Sequence, residues 1–220
     1  MLKTLLADGE RPQSIGEEIA NSVSHGVGLL GALVATPFLL KTVARSGNTV
    51  VLIGTAVFAV TVILLYTAST LYHALAPNRA KRIFRMFDHG AIFLLIAGTY
   101  TPLTLGVLWG PWGWSILSVV WTLAIAGVFL KVFETVRHPK LSMALYLLMG
   151  WLILGAIGPL WGRLPHGGWA WLAAGGISYT LGIAFAVFDR LRYGHFIWHL
   201  FVLVGTFCHG VMVWRYAGIT

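Results

Sequence analysis

HGAIFLLIAGTYTPLTLGVLWGPWGWSILSVVWTLAIAGVFL, residues 89–130, runs for 42 positions without an Asp, Glu, Lys or Arg. A helix crosses the hydrocarbon core of a bilayer in about 20 residues, so this stretch is too long for one crossing. Gly110-Pro111-Trp112-Gly113 lies near its middle, and Gly/Pro clusters of this kind are turn signals. The stretch therefore divides into two crossings. Outward from it lie five more charge-free blocks, 19–40, 46–78, 141–162, 164–188 and 193–214, each sized for one. This predicts an all-α polytopic membrane protein with seven spans, roughly 20–41, 50–75, 87–108, 113–132, 141–161, 168–188 and 194–216, in one membrane domain covering residues 1–220. Period-2 alternation is absent, which argues against a transmembrane β-barrel.

Composition agrees. The chain is 58% hydrophobic and only 10% charged, against about 25% charged in soluble domains. A charge at a helix centre costs roughly 2.5–3.5 kcal/mol on insertion scales, so the bilayer is the natural solvent for such a chain. The net charge of +8 does not signal nucleic acid, because the basic residues sit in short clusters between apolar runs, a topology signal. Lys3, Arg11, Arg79, Lys81, Arg82, Arg85, Lys131, Arg137, Lys140, Arg190 and Arg192 fall on the N-terminal side; Lys41, Arg45, Arg163 and Arg215 fall on the other. The eleven-to-four split puts the N-terminus in the cytoplasm and, with seven spans, the C-terminus outside. A bacterial cytoplasmic membrane is the expected location. The lone cysteine, Cys208, excludes an intramolecular disulfide and a Cys-rich metal site and reads as a packing residue. No cleavable signal peptide is expected, since the first apolar run is long enough to stay in the membrane.

Ionisable residues inside spans mark functional sites by default. Ser69 and His73 lie near the end of span 2, Asp88 and His89 open span 3, and His195 and His199 open span 7. Glu18, Asn21 and His25 open span 1. Spacings of three and four put the sets on spans 1, 2 and 7 each on one helix face. Span 2 runs outward to inward and spans 1, 3 and 7 the other way, so four segments bring polar groups to the same depth on the cytoplasmic side. Nothing in the span count requires that agreement.

Two histidines at i and i+4 can converge on one metal ion. A third from another helix makes a three-histidine set, which with water is a common catalytic zinc arrangement. Asp88 could then hold or deprotonate that water, with Ser69 hydrogen-bonded to either. Each residue also has a plainer role open to it. Glu18 is a polar helix start favoured by the helix dipole, Ser69 can back-bond to its own helix, and Asp88 can pair with Arg85. His138 and His166 fall in loops. His209 is about 15 Å deeper than His199 along a straight helix, placing it against a neighbouring helix rather than at the metal. The convergence of the whole set is what favours a metal.

Glu18-x-x-Asn21-x-x-Ser24-His25, then Ser69-x-x-x-His73 followed by Asp88, then His195-x-x-x-His199 resemble the motifs of the progestin and adipoQ receptor superfamily. In length and compactness the chain is similar to the bacterial hemolysin III branch. The resemblance covers essentially the whole chain, with the motifs in the family's order. It implies seven transmembrane helices, a cytoplasmic N-terminus and a zinc ion (Zn2+) near the cytoplasmic side. It places the zinc ligands on His73, His195 and His199, and the aspartate and serine near the zinc-bound water on Asp88 and Ser69. The long N-terminal domain of the eukaryotic receptors has no counterpart, which argues against their hormone signalling.

These features point to a zinc-dependent hydrolase of a lipid amide or ester, with membrane lipids as substrate and no nucleic-acid partner. The resemblance implies the amide, and ceramide-like lipids in eukaryotic relatives. The alternative is a non-catalytic regulator of membrane lipid state with structural zinc. A pore-forming cytolysin ranks lower, because a stable seven-helix chain lacks a soluble precursor form. A proton-coupled transporter also ranks lower, because no internal repeat is evident.

Overall fold

The structure is a computed structural model that describes residues 12–133, 139–187 and 191–218. Of the residues counted above for topology, Lys3, Arg11, Arg137 and Arg190 lie outside these ranges, as does His138. Local sequence explains the helix starts. Ser14 caps α1 (Ile15–Ala44) in a capping box with Glu17, pairing two orphan backbone groups reciprocally. Asn48 caps α2 (Thr49–Ala74) and Asn78 caps α3 (Arg79–Leu105). The turn expected at 110–113 is there: Gly110 takes φ 115°, and Pro111 opens α4 (Pro111–Val132). Glycine tolerates that φ without strain, and proline suits a first helical turn, where its missing N–H is not needed. Next come α5 (Pro139–Gly150), a 3-10 segment Leu152–Ala156, α6 (Ile157–Trp161), α7 (His166–Val187) and α8 (Gly194–Tyr216). Among the described residues there is no strand.

Six helical runs are long and apolar enough to cross a membrane: 15–44, 49–74, 111–132, 141–161, 166–187 and 194–216. The outer face of α1 exposes Ile19, Val23, Val27, Leu30, Val34 and Phe38 at steps of three and four. Such an unbroken apolar stripe suits lipid rather than water. The chain is an integral membrane protein.

The third predicted span, 87–108, is the one run that falls short of that apolar standard. Its helix begins eight residues earlier, at Arg79, so Arg79, Lys81, Arg82 and Arg85 are helical rather than in a loop. Its other half carries Thr99, Tyr100, Thr101, Pro102 and Thr104. Burial accounts for them. Every residue from Ala97 to Leu105 is buried, and α3 meets α2, α4, α5 and α8. A helix surrounded by protein needs no lipid-facing apolar surface. Its threonines bond back to its own carbonyls, Thr99 to Leu95, Thr101 to Ala97 and Thr104 to Tyr100.

The fifth predicted span, 141–161, is not one continuous helix. It breaks after Gly150, passes through the 3-10 segment and resumes as α6. Gly150, Gly155, Gly158 and Pro159 all weaken helix there. Backbone groups freed inside a membrane must be satisfied by protein. Tyr100 of α3 does this, donating to the Met149 and Gly150 carbonyls (3.0 and 2.8 Å) and accepting from Ile153 N (3.0 Å). Losing such a partner costs about 1–3 kcal/mol per orphaned group.

Candidate metal centre

Three helix ends meet at one place. His73 is the last residue but one of α2, and His195 and His199 sit in the first two turns of α8. His73 and His199 are buried and His195 half-buried. One ligand nitrogen from each lies within 4.8 Å of the others. Ring centroids are 5.1 Å apart for His73–His195 and His73–His199, and 4.7 Å for His195–His199. Among the described residues this is the group of His, Cys, Asp and Glu side chains that could hold a metal ion.

The first turns of α1 complete the site. His73 Nδ1 donates to Glu18 Oε2 at 2.8 Å. His199 Nδ1 donates to the Asn21 carbonyl at 3.2 Å, with Ser24 Oγ also 3.2 Å away. A proton held on Nδ1 leaves Nε2 as the ring atom with a free lone pair, the arrangement that metal-binding histidines adopt. Nε2 of His73 and Nε2 of His195 are buried without a hydrogen-bond partner. Each such orphan costs about 1–3 kcal/mol, and a shared cation would relieve both. The donor set is entirely imidazole, which suits zinc and other late transition metals. The residues fit a metal ion.

The remaining candidate residues are placed as follows. Asn21 Nδ2 approaches His73 Nδ1 at 3.5 Å. His25 stacks on His199, centroids 3.6 Å apart and planes within 2°. Asp88 is buried beside Ser69 and within electrostatic reach of His73. It is not among the residues whose ligand atoms converge. Ser69 Oγ closes no hydrogen bond, so it does not back-bond to α2. His209 packs on α7, its ring 5.4 Å from that of Tyr179, and its Nδ1 bonds nothing. His166 is exposed at the start of α7 rather than in a loop.

Two residues escaped sequence reasoning. Glu17 is 3% exposed. Its Oε2 accepts from Ser14, while its Oε1 accepts from Tyr193 N at 2.9 Å. Tyr193 holds φ 60° and immediately precedes α8. Glu17 thus ties the start of α8 to the start of α1, which sets the height of His195 against Asn21. The Ser14-x-x-Glu17 capping signature was the readable clue to half of this role. Lys81, counted above only for topology, bonds Glu18 Oε1 and the Tyr72 carbonyl, both at 2.9 Å, and lies 4.8 Å from the Tyr72 ring centre. It holds Glu18 against His73, and nothing in a run of basic residues singles it out.

The profile of the family described as Haemolysin-III related matches residues 13–210. The chain is 43% identical to Hemolysin-3 of Bacillus cereus over 194 residues, 88% of this chain and 89% of that protein. It is 42% identical to the Hemolysin-3 homolog of Bacillus subtilis (strain 168) over 193 residues, 88% of this chain and 91% of that protein. The human monocyte to macrophage differentiation factor is 26% identical over 220 residues, covering 96% of this chain and 88% of that protein. No solved structure matches the chain significantly. The matched residues include every histidine of the centre and the α1 turns that orient them, so the resemblance drawn from the motifs holds and the chain belongs to the haemolysin-III-related family.

Proposed function

We propose that this chain is a zinc-dependent hydrolase of the bacterial cytoplasmic membrane, acting on a lipid amide or ester. The observation that carries the proposal is the orientation of the histidines. Glu18 and the Asn21 carbonyl accept hydrogen bonds from Nδ1–H of His73 and His199, so the rings are prepared to bind a cation before one arrives. His73, His195 and His199 would hold zinc. When bound, zinc polarises a carbonyl and makes hydroxide available near neutral pH. Asp88 takes the proton released by the attacking water and passes it to the leaving group. Ser69, whose hydroxyl closes no bond within the protein, is free to hydrogen-bond the attacking water or the Asp88 carboxylate. Glu18, held by Lys81, keeps His73 from rotating. A groove of about 520 Å³ between α1 and α8, lined by Ile19, Val23, Val27, Phe196 and Leu200, reaches Ser24 beside His199. Its apolar lining suits an acyl chain entering sideways from the bilayer. The test is zinc-dependent release of fatty acid from a panel of lipid amides and esters. We expect chelation to abolish release and added zinc to restore it; release that persists at full rate without metal would overturn the proposal.

The same proposal includes one membrane domain of seven spans, with α3 as the third crossing. Six runs have the required apolarity, and the polar content of α3 is explained by its burial between other helices. The basic residues favour a cytoplasmic N-terminus and an external C-terminus. A reporter fused after Thr220 is expected to read as extracytoplasmic. A cytoplasmic reading would break the topology and remove the common depth of the polar residues.

A further inference from the structure

The polar stripe of α8 does not stop at the metal centre. His195, His199, Thr206 and His209 are spaced by four, seven and three residues, which keeps them on one helix face. On α2, Tyr66, Ser69, Thr70 and His73 form a matching stripe. At 1.5 Å per residue, Tyr66 and Thr206 each lie roughly 10 Å beyond the histidines of their own helix, and His209 roughly 15 Å.

Side chains connect these levels. His25, stacked on His199, lies 5.0 Å from the Tyr66 ring centre. Tyr66 OH approaches Thr206 without closing a hydrogen bond. Thr206 Oγ1 pairs with Tyr179 OH at 2.9 Å, and the Tyr179 ring lies 5.4 Å from His209. Glycines seat the rings. A Cβ at Gly28 would come within 3.1 Å of Tyr66, one at Gly205 within 2.4 Å of Tyr179, and one at Gly175 within 2.5 Å of His209.

Along this run, polar atoms are left without protein partners: both ring nitrogens of His25, the hydroxyl of Tyr66 and Nδ1 of His209. His25, Tyr66 and His209 are 2%, 2% and 5% exposed. Other buried tyrosines of the bundle are satisfied. Tyr100 bonds the α5 carbonyls, and Tyr146 donates to His89 O at 2.8 Å. Packing alone does not explain the run, since leucine or phenylalanine would fill the same space with no orphaned atom. Bound water does explain it, because a buried water both donates and accepts and settles where two to four polar groups face it.

We propose that His25, Tyr66, Thr206, Tyr179 and His209 line a hydrated pocket that runs from the metal centre into the bilayer interior and binds a chain of ordered water molecules. That the chain supplies the water consumed in hydrolysis rests on the function proposed above; the pocket itself does not. X-ray hydroxyl-radical footprinting of the full-length protein in lipid nanodiscs tests it, because radicals formed from ordered water label the side chains beside that water. Tyr66 and Tyr179 are expected to label on the order of tenfold faster than Tyr100 and Tyr146, the dry internal references. His209→Leu should slow labelling of Tyr179 while the metal content and the labelling of Tyr193 stay as in the wild type. Wild-type Tyr66 and Tyr179 as protected as Tyr100 and Tyr146 would overturn the pocket, whether or not the protein hydrolyses lipids. Labelling in a protein inactive on every lipid would uphold the pocket and count against the hydrolase alone.

Discussion

Asp88→Asn is expected to leave the fold and the zinc content unchanged and to lower the rate of lipid hydrolysis by roughly 10²–10⁴-fold, the usual contribution of a general base. Asparagine keeps the size and the hydrogen-bonding reach toward Ser69 and loses only the basicity. Asp88 is buried, lies within electrostatic reach of His73, and is absent from the converging ligand atoms. The geometry therefore suits a proton acceptor beside the centre better than a ligand within it. Two other results would change the picture. Full activity in Asp88→Asn would refute the role of base given to that residue. Loss of zinc would make Asp88 a fourth ligand and give a closed site, which also favours structure over catalysis. Metal content and rate must be measured on the same preparation to separate these outcomes.

His73→Ala, His195→Ala and His199→Ala are each expected to strip zinc. Partners that merely orient a ligand change metal affinity about 10–100-fold, so loss of a ligand itself should exceed about 100-fold. Each replacement also leaves the other two nitrogens facing a buried gap that water fills poorly. His25→Ala and His209→Ala should keep zinc largely in place. His25 touches the centre by stacking on His199 rather than by joining the converging nitrogens. His209 is further along α8 and packs on α7. Zinc-to-protein ratios after dialysis against a chelator of intermediate strength read all five variants on one scale. If His209→Ala lost zinc as fully as His199→Ala, the ligand assignment would fail.

The sequence was most legible where a property belongs to one segment. The length of a charge-free block is such a property, which is why six runs were found within a few residues of their observed ends. The errors lie where neighbours decide. α3 reaches back to Arg79 because Asn78 caps it there, its side chain accepting from Lys81 N at 2.9 Å. Charge marks the edge of an apolar run and carries no sign that the helix continues through it. The fifth run is broken because Tyr100, more than forty positions earlier in the chain, satisfies the freed backbone. Hydropathy within the run carries no trace of that partner.

By itself the sequence determined the solvent, the helical class and the candidate ligands, because apolar length and i, i+4 spacing are local and survive without knowledge of packing. It also placed Glu18, Asn21 and His25 at the same membrane depth as the histidines. Only the tertiary structure decided what they do there: Glu18 accepts a hydrogen bond from His73, the Asn21 carbonyl accepts one from His199, and His25 offers a ring face. It likewise decided that Glu17 anchors α8 and that Lys81 secures Glu18. These roles depend on how each helix is turned about its axis and set against neighbours fifty or more residues away. That rotation is fixed by packing in three dimensions, and block length and spacing along one chain do not encode it.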